Sequence, residues 1–311
     1  MTAAVLVSAG MVLFPLWRST VDRELRRQTA EPFRIAGNLY YVGGSYTTSF
    51  LLTGPEGHAL IDGGYAATAS QTIANIARLG FDIKDVKVLL NTEPHADHAG
   101  GLAALQQASG AALWASEASA EALASGGDEG RDAGLFRAFV WAGLLSYPAA
   151  RVDRRFADGE TIRVGPIALT AHITGGFTRG CTSWSFLVRD GQRDLHVVRV
   201  CDLSVLPGKS LVEPEMYPGI RADFERSFRV LRSLPVDIWL ASHARDFGRY
   251  RKFLEREKTN DPAQPFIDPD GYRRYIDGAE RDFRRLLAEQ ERRSAKWGSF
   301  LAGFANRYVR D

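Results

Sequence analysis

The sequence predicts an α+β protein in which packed β-sheets are covered by helices. Three observations predict this class. Short apolar runs of strand character alternate with stretches of helical periodicity. The turn Asp190-Gly191 lies between two strand-like runs, as in a β-hairpin. The stretch Ile61-Asp62-Gly63-Gly64 leads from a strand-like run into a helical one. Hairpins and β–α units together favour packed sheets with helices outside over a doubly wound parallel sheet.

The elements follow from apolar patterning, taken in chain order. Apolar or alternating runs predict strands at 39–43, 48–53, 58–62, 87–91, 111–115, 167–172, 184–189, 195–201 and 236–241. Helical periodicity predicts helices at 66–79, 99–108, 116–124, 223–233 and 270–291. The first two helices stop at Gly80 and Gly110, because glycine easily supplies the positive φ that ends a helix. Segment 125–150 has no clear period, and its aromatic residues are typical of a binding loop, with an ordinary helical insertion as the alternative.

Composition limits the class of protein. The 311 residues allow one large domain or two small ones, and 45% hydrophobic with 24% charged residues is ordinary for a soluble globular protein. A net charge of +2 excludes a disordered acidic chain and lacks the basic excess of nucleic-acid-binding proteins. Two cysteines exclude a disulfide scaffold and a four-cysteine zinc module. We therefore expect a small-molecule substrate and no nucleic acid.

The first thirty residues differ from the rest of the chain. Residues 3–17 are apolar without a charge and are followed by arginines, a length that suits a signal-peptide core and is short for a membrane span. No basic residue precedes the apolar run, and the positive-inside rule would keep its basic flank in the cytoplasm. We expect residues 1–30 to be a signal-peptide-like or membrane-anchor segment, with a buried helix as the alternative. The expected domain covers residues 31–311 and ends in a helical tail. We expect it to be periplasmic or secreted, with a membrane tether through residues 3–17 as a variant of this expectation.

Candidate metal ligands concentrate in the run 91–101, which reads Asn-Thr-Glu-Pro-His-Ala-Asp-His-Ala-Gly-Gly. The run follows a predicted strand and opens a predicted helix. Glu93, His95 and Asp97 alternate, so an extended chain directs all three to one side, and His98 follows at the helix start. Imidazole and carboxylate together suit Zn²⁺. The sequence therefore predicts a metal site at this strand-to-helix turn.

Together with other stretches, this run resembles the metallo-β-lactamase fold, and specifically the class B metallo-β-lactamases of the third subclass. The resemblance covers about residues 31–290. It rests on the run 91–101 and on GNLYYVG at 37–43, GHALIDGG at 57–64, LTAH at 169–172, GCTSW at 180–184, YPG at 217–219, DFERSF at 223–228 and ASH at 241–243. It implies an αββα sandwich, two mixed β-sheets between helix layers, with the metals in a cleft at one sheet edge.

The resemblance implies two zinc positions, one of which is complete in this chain. The family pattern is His-x-His-x-Asp-His, then a His in a Gly-His-Thr-Pro-Gly turn, then a last His. The second zinc of that pattern takes the Asp, the His after it and the last His. These correspond to Asp97, His98 and His243. The resemblance thus implies one firmly held Zn²⁺ on these three residues.

The first zinc position departs from the family pattern. Glu93 stands for the first His, and His95 matches the second. Phe177 stands where the turn His should be, and a phenyl ring cannot bind a metal. A second Zn²⁺ is therefore expected to be weak or absent, unless an extra ligand takes the missing place. His172 and Asp202 are the candidates for that role.

The implied function is that of a zinc hydrolase that opens the amide ring of β-lactams with a metal-bound hydroxide, as in antibiotic resistance. Asp97 would hold the metal and orient the nucleophile, and Glu93 with His95 would transfer protons. Where the family has an Asp-Ser-x-Ser stretch, this chain has Asp202-Leu203-Ser204-Val205, so the serines are displaced or absent, which weakens the expected anchoring of a β-lactam. Another ester, lactone or thioester, or a catalytically weak homologue, is the alternative. The candidate substrate-binding residues are Tyr46, Trp141, Phe177 and Ser204.

The two cysteines are predicted to lie close together. Antiparallel pairing of the runs 182–189 and 195–201 places Cys181 opposite about residues 200–203, with Cα atoms roughly 4.5–5.5 Å apart for an opposed pair. Cys201 lies within that range. A bond forms only if both side chains share a face, since a shift of one residue in register points them apart. The disulfide is therefore left open at this point.

Overall fold

The computed structural model describes residues 23–25, 28–130, 134, 136–206 and 208–308, with only the backbone for Phe136 and residues 296–308. The apolar run 3–17, with the expected signal or membrane tether, lies outside the described residues. Within them, none of the helices combines the length and the apolar character that a membrane crossing requires.

A seven-stranded sheet forms the N-terminal half of the fold. Its strands follow chain order, antiparallel from β1 to β4 and parallel from β4 to β7. They are β1 (Phe33–Ala36), β2 (Leu39–Tyr41), β3 (Phe50–Leu52), β4 (His58–Ile61), β5 (Val86–Leu90), β6 (Ala112–Ser116) and β7 (Arg154–Phe156). The carboxyl ends of β4 and β5 therefore lie side by side, which brings the loops that follow them to one edge.

A five-stranded sheet of order β12-β11-β10-β9-β8 packs against the first. It is antiparallel except for the pair β11–β12. Its strands are β8 (Thr161–Val164), β9 (Ile167–Ile173), β10 (Thr182–Asp190), β11 (Arg193–Arg199) and β12 (Ile238–Leu240). Phe50 and Ile61 of the first sheet and Leu169 and Trp184 of the second belong to one buried apolar cluster between the sheets.

Helices cover the outer faces of both sheets. They are α1 (Ala69–Arg78), α2 (Ala96–Ala99), α3 (Leu102–Ser109), α4 (Glu117–Ser125), α5 (Phe136–Trp141), α6 (Ile220–Ser233), α7 (Arg249–Arg256) and α8 (Pro269–Tyr308). Ile76 of α1 and Leu105 of α3 pack on Leu60 and Leu89 from the outer face of the first sheet. Phe228 of α6 and Phe283 of α8 pack together against the second sheet. The expected αββα sandwich is confirmed.

Each predicted strand and helix overlaps an observed one, and the differences lie in short or polar elements. Strands β1, β7 and β8 were not predicted, because they span only three or four residues and all three carry exposed arginines. The segment 125–150 contains the short helix α5, and α7 is an unpredicted helix. The C-terminal helix runs to Tyr308, beyond the predicted end at residue 291.

Cys181 and Cys201 form a disulfide with a Cα–Cα distance of 5.9 Å. The pairing of β10 with β11 has the predicted register, with Trp184 opposite Arg199. Both cysteines lie just beyond the same end of the regular ladder, Cys181 before β10 and Cys201 after β11. The predicted proximity is confirmed, and the bond that the register left open is present.

Candidate metal centre

The metal-binding side chains come from both sheets at the edge where their strands end. Asp97 and His98 lie in α2, immediately after β5, whereas His243 follows β12 in the second sheet. The backbone of Gly63 donates to the carbonyl of His98, over 2.8 Å, so the α2 turn packs directly on the loop after β4. A Cβ atom on Gly101 would lie 2.2 Å from the Gly63 carbonyl oxygen, so this close approach requires glycine.

Asp97, His98 and His243 form a group with metal-ligand geometry. Their candidate ligand atoms lie within 4.8 Å of one another. The Asp97 Oδ2 atom is 3.3 Å from His98 Nε2 and 3.2 Å from His243 Nε2. Tetrahedral zinc with bonds of about 2.0–2.2 Å places neighbouring donors roughly 3.3–3.6 Å apart. The observed separations therefore fit a single zinc ion.

His98 supplies a second sign that the group is built for a metal. Its ring is buried, and neither ring nitrogen has a hydrogen-bond partner in the described part of the chain. Buried polar atoms are nearly always paired, so an unpaired buried imidazole calls for a ligand. Histidine is a frequent zinc ligand through either nitrogen. This three-residue set thus fits the metal that the fold family implies.

His98 and His243 each have a second ring nitrogen that points away from Asp97. These second nitrogens face other carboxylates. The His98 Nδ1 atom lies 3.6 Å from Asp62 Oδ2. The His243 Nδ1 atom lies 3.6 Å from Asp246 Oδ2 and 3.7 Å from Asp202 Oδ2. Carboxylates behind zinc-binding histidines hold the ring orientation and raise its basicity. Asp202 accordingly lies behind the ligand His243, close to the metal group.

Mutual electrostatics hold the group together in the protein. Burial alone would raise the pKa of Asp97, but the neighbouring His98 and His243 imidazoles hold that pKa well below its usual range. Burial would lower the pKa of His243, but Asp246 and Asp97 raise it to about 9. Burial, followed by the negative charge of Glu93, raises the pKa of Asp202. A metal ion bound by this group would therefore have to displace protons from the histidines.

The first zinc position of the family pattern has a different chemistry in this chain. Glu93 is buried, and its Oε2 atom lies 3.0 Å from His95 Nδ1. The other ring nitrogen, Nε2, lies 3.0 Å from Glu129 Oε1. The Phe177 ring packs edge-on against the His95 ring at a centroid distance of 4.9 Å. These residues do not fit a metal, because both imidazole nitrogens already face carboxylates and no third donor from the described residues converges on one point.

The cavity at this edge has a volume of about 370 Å³ and one polar and one apolar wall. Of the expected substrate-binding residues, Tyr46, Phe177 and Ser204 line it, next to Asp97 and His243. Trp141 does not: its side chain is 69% exposed, and its Nε1 donates to Asp128 instead. The apolar wall comes from its neighbours in the segment 125–150, namely Val140, Leu145 and Tyr147.

The expected extra-ligand role of His172 is not supported by its position. His172 lies on β9, opposite Ser183 of β10. Its Nε2 shares a hydrogen bond of 2.8 Å with Ser185 Oγ. The neighbouring Ala171 and Trp184 point into the core between the sheets, so His172 points to the outer face. That face is away from the metal group.

Three functional residues were missed by sequence analysis. Glu129 lies in a segment without periodicity, so nothing there distinguished it from a solvated acid. Arg199 is completely buried and pairs with Asp62. A lone arginine in the apolar run around Val197 and Val200 could have indicated a buried ion pair, because buried arginines are rare unless they are paired. Arg245 lines the cavity mouth and had no motif of its own.

Comparisons with known proteins agree with this architecture. Residues 42–243 match the sequence profile of the metallo-beta-lactamase superfamily. A probable metallo-hydrolase from Burkholderia pseudomallei (strain 1710b) is 28% identical over 178 residues, which are 54% of this chain and 54% of that protein. The chain therefore spans about half the length of this curated relative.

Solved structures resemble nearly the whole domain. The Rm3 metallo-beta-lactamase is 38% identical, with a TM-score of 0.78 over 85% of this chain and 96% of that one. Native FEZ-1 metallo-beta-lactamase from Legionella gormanii is 35% identical, with a TM-score of 0.79 over 85% and 98% of the two chains. BJP-1, a subclass B3 metallo-beta-lactamase of Bradyrhizobium japonicum, is 32% identical, with a TM-score of 0.74 over 85% and 96%. With a sequence match over more than half its length and this shared fold, the chain belongs to the metallo-β-lactamase superfamily of hydrolases.

Proposed function

We propose that this protein is a hydrolase that uses one Zn²⁺ ion to open the amide ring of β-lactams. The observation that carries the proposal is the group Asp97, His98 and His243, whose donor atoms have the spacing of tetrahedral zinc ligands. Three protein ligands leave one position open, which is the catalytic pattern for zinc. The β-lactam substrate is supported by the names of the similar structures, which are metallo-β-lactamases.

Zinc held by these three residues would supply a Lewis acid and a water of lowered pKa. The remaining roles fall to the chain itself. Glu93 Oε1 lies 3.7 Å from His98 Nε2, so its carboxylate lies beside a candidate zinc ligand. Its other oxygen is 3.0 Å from His95 Nδ1, so the protonated imidazole can supply a proton to this carboxylate. Glu93 and His95 are thus assigned to proton transfer.

We propose one zinc rather than two because the first position lacks a convergent donor set. Glu93 and Glu129 lie on opposite nitrogens of His95, and one imidazole offers only one nitrogen to one ion. The Phe177 ring covers a further side with apolar surface. An uncompensated dication is costly to place against such a surface.

The cavity favours a substrate that has a carboxylate beside an apolar group. Arg245 lies at the mouth, with its Nε bonded to Asp246 Oδ1 over 3.3 Å. In the described part of the chain its terminal nitrogens make no ion pair, and its guanidinium carbon lies 6.0 Å from the centroid of the Tyr46 ring, which also lines the cavity. Ser204 lines the cavity as well. A guanidinium fork pairs well with a carboxylate, and β-lactams carry one.

A second substrate class is favoured by one specific observation. Where the family has an Asp-Ser-x-Ser stretch, this chain has Asp202-Leu203-Ser204, and Leu203 is buried in the core. Leu203 and Val205 thus stand at the two serine positions, and Ser204 is displaced by one residue. The alternative function is hydrolysis of a carboxylate-bearing ester, lactone or thioester at the same site.

We also propose that the protein is exported to the periplasm or secreted. The apolar run 3–17 supports export, and so does the disulfide between Cys181 and Cys201, because disulfides persist in oxidising compartments. Oxidation state in periplasmic and cytoplasmic fractions checks this: we expect the bonded form outside the cytoplasm, and cytoplasmic protein with free thiols would contradict it.

Turnover by purified, zinc-loaded protein tests the function. We expect hydrolysis of a chromogenic cephalosporin, lost on chelation and lost in Asp97→Ala. The matched control is Asp194→Ala, an exposed aspartate on β11 outside the cavity, which keeps activity. Turnover of lactones or thioesters without any β-lactam would establish the alternative. A zinc-loaded protein that turns over none of these substrates would refute hydrolysis at this site.

A further inference from the structure

Arg199, the last residue of β11, lies directly beneath the metal centre. Its side chain is completely buried, as is that of its partner Asp62. One terminal nitrogen, Nη2, donates to Asp62 Oδ2. The other, Nη1, donates to Ser242 Oγ over 2.9 Å and to the Val200 carbonyl over 2.7 Å. A buried guanidinium therefore joins two separate segments of the chain.

The two segments belong to different sheets. Asp62 follows β4 in the first sheet, whereas Ser242 follows β12 in the second. The metal group has the same division, with Asp97 and His98 on the first sheet and His243 on the second. The gap between the sheet edges thus fixes the gap between the ligands. Arg199 bridges that gap from below.

Each branch of the bridge ends at the metal centre. Asp62 Oδ2 lies 3.6 Å from His98 Nδ1 and also accepts from Thr92 Oγ1 over 2.7 Å. Ser242 Oγ donates to Glu93 Oε1 over 3.3 Å and immediately precedes the ligand His243. One side chain is therefore linked through a single residue to ligands from both sheets.

We propose that Arg199 is a positioning residue that sets the distance between the ligands of the two sheets and thereby the zinc affinity of the site. The inference rests on the proposed zinc site, and it does not depend on the β-lactam substrate. Lysine cannot replace Arg199, because an ammonium group lacks the planar fork that reaches two partners at once. Loss of a residue behind metal ligands typically weakens metal binding by about 10- to 100-fold.

Zinc affinity of Arg199→Lys and Arg199→Met tests the proposal directly. Kd is measured by chelator competition on protein shown to be folded, well below its melting temperature. The control is Arg193→Met, which removes an arginine from the first position of the same strand, where it pairs with Asp190 and Asp261 at the surface. We expect Kd to rise about 10- to 100-fold in both Arg199 variants and less than about twofold in the control.

A second readout separates positioning from stability. Co²⁺ bound in place of zinc reports ligand geometry in its visible spectrum. We expect Arg199→Lys to change that spectrum, whereas Arg193→Met leaves it unchanged even if it lowers the melting temperature. Ser242→Ala cuts the branch to the second sheet, together with the hydrogen bond from Ser242 to Glu93, and we expect it to raise the zinc Kd while Asp62 stays paired with Arg199. This variant keeps the proposal testable if the Arg199 variants do not fold.

The outcomes distinguish this inference from the proposed function. Unchanged Kd and Co²⁺ spectrum in folded Arg199→Lys would overturn it, as would an unchanged Kd in Ser242→Ala. If the unaltered protein binds no zinc, both the zinc site and this inference are wrong. Weakened zinc binding in a protein that hydrolyses no β-lactam would support Arg199 and reject only the substrate.

Discussion

Glu129 Oε1 lies 3.0 Å from His95 Nε2, so that, with Glu93 on Nδ1, both nitrogens of this imidazole face carboxylates. Glu129 comes from the segment after α4, which also supplies the apolar wall of the cavity. The contact thus connects the segment that forms the apolar wall of the cavity with the position of the first zinc in the family pattern. Because both nitrogens of His95 face carboxylates, this position differs from the neighbouring group of Asp97, His98 and His243, in which three candidate ligands converge.

Replacing Glu129 tests this contact. Burial would lower the pKa of His95, but the Glu129 and Glu93 carboxylates raise it to about 10. Because Glu129→Gln removes one of the two negative charges, we expect the pKa of His95 to fall. NMR titration of the histidine ring protons in zinc-free protein measures it, with Glu121→Gln on the exposed face of α4 as the control. A His95 pKa that is the same in both variants would contradict the pairing.

Restoring the family ligand should create the missing metal position. We expect Phe177→His to raise the zinc content from one toward two ions per chain, and Glu93→His to add to the effect. Combining Phe177→His with Glu129→Gln should raise it further, because His95 is then released from its competing partner. Elemental analysis after dialysis gives the content. Two tightly bound zinc ions in the unaltered protein would show that Asp202, Glu129 or another residue already completes this position.

Zinc-free and zinc-bound protein should respond to pH in opposite ways. The pKa of His243 is raised from 6.5 to about 9, so its ion pairs stabilise the zinc-free fold fully below pH 6.5 and are lost as pH rises toward 9. Zinc requires neutral histidines, so its affinity increases over the same range. We expect the zinc-induced rise in melting temperature to grow from pH 6.5 to pH 9. An increment that shrinks over this range would show that protons and zinc do not compete for His243.

Arg245 should affect substrate binding more than chemistry. Its side chain is 74% exposed, so loss of its charge removes an ion pair worth up to about 1 kcal/mol, or roughly fivefold in KM. We expect Arg245→Gln to raise KM for carboxylate substrates with little change in kcat, and to leave KM for their methyl esters unchanged. Arg251→Gln, on the exposed face of α7, is the control. Equal effects on acids and esters would remove Arg245 from carboxylate recognition.

Much of the fold could be predicted from local patterns of apolar residues and turns in the sequence. The paired strands around Asp190-Gly191 have the register expected from their turn, which is why the proximity of Cys181 and Cys201 could be predicted. Strands such as β7 were missed because three residues with two exposed arginines leave no periodicity to detect. Such strands form because neighbouring strands supply their hydrogen-bond partners. These partners depend on the tertiary fold and leave no local pattern in the sequence.

The three residues of the candidate metal group were predicted from the sequence, but the residues that support them were not. Asp97 and His98 stand in a dense local motif, and the resemblance added His243. Glu129 and Arg199 act through contacts between segments far apart in the chain: Glu129 lies 34 residues after His95, and Arg199 pairs with Asp62 across 137 residues. Such pairings depend on how the sheets pack, so no local spacing reveals them.

Zinc content per chain, measured on the unaltered protein and on the triple variant Asp97→Ala, His98→Ala and His243→Ala, tests the central claim most directly. The control is a variant with His172→Ala and His196→Ala, two histidines outside the metal group. We predict one zinc ion in the unaltered protein and in the control, and none in the triple variant. A full equivalent of zinc retained by the folded triple variant would contradict the assignment of the site.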